Sequence, residues 1–343
     1  MIKIINFIPG IAISVAVALL ACWLESLLPI HLIGAGVIAM FIGMALNAIL
    51  KKYNIFSSGL KFTSKKILKF AIIILGLSLN INTILTVGKM SLIVMIFTLL
   101  TCFGGGYLIG KALGLNWKLS NLISAGTGIC GGSAIAAIAP TIDADDGDVA
   151  YAMSATFLFD MAMIVLFPIM GRALGMSDQA FGIWAGTAVN DTSSVVATGY
   201  AFSEFAGDYA TMVKLTRTLS IIPTVIVFAL ISLRLKRKEA LENNLSSDGI
   251  KVKFSVLKIF PWFIVGFLIA SIITSVFTLP TEFLSFTKSS SKFLMVCALS
   301  AIGLNTSFSS MKKSGIKPML HGFIISALVV IVALVVEIAM GLV

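Results

Sequence analysis

The chain has 343 residues, 58% of them hydrophobic and only 12% charged, with a formal net charge of +10. Soluble domains carry about 25% charged residues, so a water-soluble globular fold is excluded: it could not hide so much apolar surface. The basic excess would suit nucleic acid, but it is concentrated in alternate loops, which ties it to membrane orientation instead.

Apolar runs of roughly 20 residues, long enough to cross the hydrocarbon core, recur along the chain. They predict an all-α polytopic membrane protein of about eleven transmembrane helices, near 6–24, 31–50, 67–86, 90–113, 119–140, 148–170, 178–200, 211–233, 257–279, 291–309 and 318–342. The first span follows Lys3 and ends near Cys22, as a signal sequence would. Leu20 and Trp23 are too bulky for a cleavage site there, so an uncleaved helix is expected. Residues 51–66 carry Lys51, Lys52, Lys61, Lys65 and Lys66 among Ile55, Phe56, Leu60 and Phe62; they suit either an interfacial amphipathic helix or a solvated basic loop. Gly76-Leu77-Ser78-Leu79-Asn80 reads as a helix end or a weak polar lining. Residues 234–258 form a polar linker with turn residues and no apolar period.

Placing loops alternately puts Lys3, the lysines of 51–69, Lys111, Lys118, Arg172 and the basic residues of 234–258 and 312–317 on one side. The positive-inside rule makes that side cytoplasmic, with the N-terminus inside and the C-terminus outside. The acidic run Asp143, Asp145, Asp146 and Asp148 then falls outside. Cys22, Cys102, Cys130 and Cys297 all sit in apolar spans, so no disulfide framework is expected. His31 and His321 are the sole histidines, and no metal site is expected.

Two sequence echoes stand out. Cys130-Gly131-Gly132-Ser133-Ala134-Ile135 in the fifth span returns as Cys297-Ala298-Leu299-Ser300-Ala301-Ile302 in the tenth. Both segments are interrupted, by Gly126–Gly132 and by Gly303-Leu304-Asn305-Thr306-Ser307, and five spans apart they run antiparallel. That is the pattern of a transporter built from inverted repeats with broken helices at its binding site. It divides the chain into a peripheral first helix (1–29), a first five-helix repeat (30–175) and a second (176–343). The other echo pairs Ala125-Gly126-Thr127-Gly128-Ile129 with Ala185-Gly186-Thr187-Ala188-Val189. Those two spans point the same way by alternation, so it reads as shared close packing of small residues.

The candidate chemistry follows. A glycine cluster as dense as 126–132 breaks a helix, and the exposed N–H groups of the second half-helix would attract an anion; this selects Thr127, Gly128, Cys130, Gly131, Gly132 and Ser133, with Pro140 ending that half-helix. Asn190, Asp191, Thr192, Ser193 and Ser194 are five successive polar residues at mid-membrane depth, where facing lipid is costly. Asp160, in the middle of the sixth span, and Asp191 are candidate carriers of a proton or cation. Lys214 and Arg217, three residues apart on one face near the start of the eighth span, supply fixed charge for an anion or reach outer headgroups. Ser300, Gly303 and Asn305 form the counterpart break. Glu25 and Glu337 are expected at the interface.

These motifs, with Asn190-Asp191-Thr192-Ser193-Ser194-Val195-Val196 and Lys214-Leu215-Thr216-Arg217, resemble those of the YeiH-like sulfate exporter family over nearly the whole chain. Asn190 departs from a histidine common in that family. The family is similar in architecture to cation–proton antiporters and bile-acid sodium symporters. The resemblance implies two inverted five-helix repeats, crossing broken helices and alternating access.

The expectation is a secondary transporter of a small anion (sulfate, sulfonate or carboxylate) in the cell membrane, coupled to H+ or Na+. It needs no cofactor or nucleic acid, contacts lipid, and is compatible with a homodimer. A cation–proton antiporter using Asp160 and Asp191 is the alternative. An intramembrane enzyme lacks a histidine partner for Ser133 or Cys130, and no phosphate-binding loop supports ATP-driven transport.

Overall fold

The computed structural model describes residues 6–27, 34–50, 52–242, 260–277, 279–306 and 315–343. Every regular element among them is helical. In chain order these are α1 (Ile8–Leu27) and α2 (Ala35–Leu50), then α3, a rod of Ser57–Phe62, the π-turn Thr63–Ile67 and Leu68–Gly76. α4 (Ile81–Ala112) follows, then α5 (Trp117–Ala125), α6 (Gly132–Ile138) and α7 (Asp146–Ala173). The remainder are α8 (Asp178–Ala188), α9 (Thr192–Phe202), α10 (Glu204–Thr218), α11 (Ile221–Glu242), α12 (Trp262–Val276), α13 (Thr281–Asn305) and α14 (Ile316–Ala339).

Among the described residues, five helices are long and apolar enough to cross a membrane: α1, α4, α7, the α10–α11 pair as Glu204–Leu235, and α14. The third span is shifted relative to expectation. α3 starts at Ser57 rather than 67, so the basic residues Lys61, Lys65, Lys66 and Lys69 are helical and not in a loop. Gly76–Asn80 is a helix end: Ser78 Oγ donates to the Leu75 carbonyl, and Asn80 caps α4 by accepting from the Asn82 N–H at 2.8 Å. The linker 234–258 is helical to Glu242 and otherwise lies outside the described residues.

The fifth and seventh spans are not straight, and this corrects the topology. A helix rises 1.5 Å per residue, so a straight run from 117 to 141 would part its ends by more than 30 Å. Instead Lys118 Nζ donates to the Asp143 carbonyl at 2.6 Å and Asn116 Nδ2 to Asp148 Oδ2 at 2.8 Å. α5 and α6 are therefore a re-entrant hairpin, entering and leaving at one end of the molecule. α8 and α9 do the same from the other end. Phe181 and Phe202 stack with ring centroids 3.9 Å apart, and Arg172, at the end of α7, donates to the Ala201 carbonyl at 3.1 Å. Two consequences follow: the acidic turn at 143–148 shares an end with Lys118, and Arg172 lies at the opposite end. Two reversals in place of two crossings still leave the start of α1 and the end of α14 at opposite ends.

Lipid offers no hydrophobic gain for helix association, so close packing of small residues carries it. A Cβ added at Gly303 would lie 2.1 Å from the Met40 carbonyl oxygen, and one at Gly43 2.6 Å from that of Ser300. The Ser300 hydroxyl donates to the Ser14 carbonyl at 2.8 Å. Gly303 and Ser300 thus join α13 to α2 and α1. α13 stays helical through Gly303 and ends at Asn305, inside the expected interruption 303–307, with Thr306 extended; residues 307–314 lie outside the described residues. α1 packs on α2, α13 and the start of α3, burying Val17, Ala18 and Ala21.

Candidate functional site at the hairpin tips

The two tips are made by different local chemistry. In the first, Gly126–Cys130 winds as a π-turn, with the Gly131 N–H donating to the Gly126 carbonyl five residues back at 2.8 Å. Gly131 then takes φ 62°, ψ −134°, a region that side chains avoid, and α6 starts without a side-chain cap. In the second, no glycine is needed. Val189 and Asp191 are extended, and Asp191 caps α9 by accepting from the Ser193 N–H at 2.9 Å and from the Ser193 hydroxyl. Asn and Asp favour caps because their short side chains satisfy orphan N–H groups.

The tips meet at the middle of α7. Asp160 Oδ1 accepts from the Asn190 N–H at 2.9 Å and Oδ2 from the Asp191 N–H at 2.8 Å. A Cβ at Gly131 would lie 2.8 Å from Asp191 Oδ1. On the other side of the tips Arg217 donates through Nε to the Gly128 carbonyl and through Nη2 to the Thr127 carbonyl, both at 2.6 Å, and Nη1 lies 3.4 Å from the Val189 carbonyl. Lys214 Nζ donates to Val189 at 2.9 Å. Cations thus sit on the carbonyl ends of the first half-helices and a carboxylate on the N–H end of α9, the sense in which helix dipoles are stabilised. Fully buried charges are tolerable only with such partners. Lys214 and Arg217 lie midway along Glu204–Leu235, not near its start, because the helix begins at Glu204.

A cavity of about 1620 Å³ runs from the end of the molecule bearing Lys65, Lys66 and Lys69 to the tips. Its floor includes Cys130, Gly131, Gly132, Ser133, Asp160, Asp191, Thr192 and Ser193. Asn305 and Thr306, at the end of α13, line its wall. Lys214 and Arg217 are not among its walls; they hold the tips from behind. Thr127, Gly128, Asn190 and Ser194 are buried next to the floor without lining it, and Ser300 and Gly303 belong to the α1–α2–α13 packing.

Thr156, Ser326 and the α3 lysines were missed. Thr156 is a cavity-wall residue four positions before Asp160, hence on the same face of α7. Ser326 is a rare polar residue in the most apolar of the five long helices. Glu337, expected at the interface, is fully buried on α14, and neither carboxyl oxygen has a hydrogen-bond partner among the described residues. His321, at the basic end, lies 3.0 Å from the Gly106 carbonyl and 3.1 Å from Ser120 Oγ, away from the tips. Among the described residues no group of three or more His, Cys, Asp or Glu is arranged to hold a metal.

The family model described as conserved hypothetical protein 698 matches residues 9–322. The chain is 55% identical over 334 residues to a UPF0324 membrane protein of Clostridium tetani, covering 97% of each. It is 40% identical over 339 residues to one of Fusobacterium nucleatum, covering 93% of this chain and 94% of that one. A UPF0324 membrane protein of Streptococcus pyogenes serotype M18 is 40% identical over 342 residues, 98% of both chains. No solved structure matches.

Proposed function

The chain belongs to the conserved hypothetical protein 698 family, whose relatives are named membrane proteins, and we propose that it is a secondary active transporter of a small anion, of the sulfate, sulfonate or carboxylate class, coupled to H+ or Na+. One observation carries the reading: two re-entrant hairpins from opposite ends put their tips together at the floor of a deep cavity. Non-helical backbone at membrane depth is tolerable where it lines a cavity or is held by protein, and broken helices at mid-depth mark transporter binding sites.

The anion class is supported by the lysines at the mouth and by Gly132 and Ser133 on the floor, at the uncapped start of α6. Arg217 and Lys214 act on the substrate only through the tips they hold. The basic end is taken as cytoplasmic under the positive-inside rule, which opens the cavity inward across the cell membrane. On this reading the protein is a carrier and not an enzyme.

A second reading, a cation–proton antiporter, draws on the placement of Asp160 and Asp191 at the floor while both cations stand behind it. Proteoliposomes loaded in turn with sulfate, small sulfonates and small carboxylates separate the two. Anion counterflow or gradient-driven uptake, lost in Asp191→Asn, is expected. Sodium flux driven by a pH gradient, with no anion requirement, would favour the antiporter instead. The absence of any solute flux would remove both.

A further inference from the structure

A group of oxygens sits between the two tips, and of its members only Thr156 reaches the cavity. Thr127 of the first tip, Thr156 of α7, Asn190 of the second tip and Ser326 of α14 are each at most 2% exposed. Asn190 Nδ2 lies 3.4 Å from the Thr156 carbonyl oxygen and 3.3 Å from Ser326 Oγ, and Thr127 Oγ1 lies 3.4 Å from Ser326 Oγ. These spacings are longer than the roughly 2.5–3.2 Å of good hydrogen bonds. Asn190 Oδ1 is buried and has no partner among the described residues, a deficit that native interiors normally avoid.

The spacing has a simple alternative meaning. Oxygens held at right angles around a hard cation at about 2.4 Å lie about 3.4 Å from one another. We propose that Thr127, Thr156, Asn190 and Ser326 form a binding site for a small desolvated monovalent cation, Na+ by size and ligand type. Rotation of the Asn190 amide brings Oδ1 to the position of Nδ2. The ligands are then Asn190 Oδ1, Thr127 Oγ1, Ser326 Oγ and the Thr156 carbonyl.

The donor set fixes the class of ion. Uncharged oxygens suit a hard cation, whereas soft metals select sulfur and imidazole. A divalent ion draws on several carboxylates; here Asp160, one turn along α7 from Thr156, already accepts from two backbone N–H groups. The four ligands come from both hairpins, α7 and α14, so occupancy ties one tip to the other. Asp160 and Asp191 match Lys214 and Arg217 in number, so an added cation leaves a charge that a bound anion would balance. The site stands on its own geometry; that its ion drives transport rests on the transporter reading.

The test is thermal unfolding of the purified full-length protein in NaCl, LiCl, KCl and choline chloride at constant ionic strength. A saturable rise in Tm with Na+ over choline is expected, and Ser326→Ala and Thr127→Val should each raise the half-saturating Na+ about tenfold or more. Equal curves in NaCl and choline chloride, equal stabilisation by K+ and Na+, or an Na+ response untouched by both variants would overturn the site. Anion flux driven by a pH gradient without Na+ stabilisation would overturn the site and leave the transporter standing. Na+ stabilisation without any solute flux would do the reverse.

Discussion

Replacing Arg217 by Gln should loosen both hairpin tips. The guanidinium makes two 2.6 Å bonds to the first tip and a longer contact to the second. Hydrogen bonds from a charged donor contribute about 1.5–3 kcal/mol each, so removing the two short ones costs about 3–6 kcal/mol. A Gln amide can restore at most one neutral bond of about 1 kcal/mol, leaving a net loss of about 2–5 kcal/mol. Thermal unfolding of the purified protein should show a clearly lower Tm for Arg217→Gln, with Arg217→Lys in between because Lys keeps the charge but not the fork. Cys130, 1% exposed beside the first tip, should react faster with a thiol reagent in the Gln variant. An unchanged Tm and unchanged Cys130 labelling would refute the clamp. If anion flux were lost all the same, Arg217 would belong to the substrate site.

Other expectations follow from the same geometry. In a cysteine-free background, Asp145→Cys should label with an impermeant thiol reagent from the same side as Lys61→Cys, and Leu174→Cys from the other. Eleven straight spans would give the reverse for both 145 and 174. Gly131→Ala should destabilise the first tip by about 1–3 kcal/mol, because φ 62° is strained for a side chain and the new Cβ would press on Asp191; an unaltered Tm would sink that reading. Glu337→Met should raise stability by about 1–3 kcal/mol, since it removes a buried carboxyl that has no partner. A fall in Tm would mean that the carboxyl has an unseen function.

Several parts of the site were legible in the sequence. The glycine density at 126–132, the polar run at 190–194 and the lone mid-span Asp160 each violate the rule that membrane interiors are apolar and helical, and the structure gathers all three at the tips. The choice between the two echoes went the wrong way. Alternation made the fifth and seventh spans parallel, which seemed to bar the pairing of Ala125–Ile129 with Ala185–Val189. In the structure α5 and α8 enter from opposite ends, so that pair runs antiparallel, while Cys297–Ile302 lies in an unbroken helix. The packing expectation for Gly186 still holds, since a Cβ there would lie 2.6 Å from Val213.

The sequence by itself determined a multi-pass helical membrane protein and the loss of regular winding at 126–132, because hydropathy and glycine density act locally; the unwinding at 189–191, which uses no glycine, is not written in that signal. Only the tertiary structure decided that two of the apolar segments turn back. A 25-residue apolar stretch has the same hydropathy whether it crosses or doubles over. What makes doubling over tolerable is supplied from elsewhere in the chain: Arg217 and Lys214 on the freed carbonyls, Asp160 on the freed N–H groups. An unwound tip at mid-depth survives only with such distant partners, and no window of local sequence contains them.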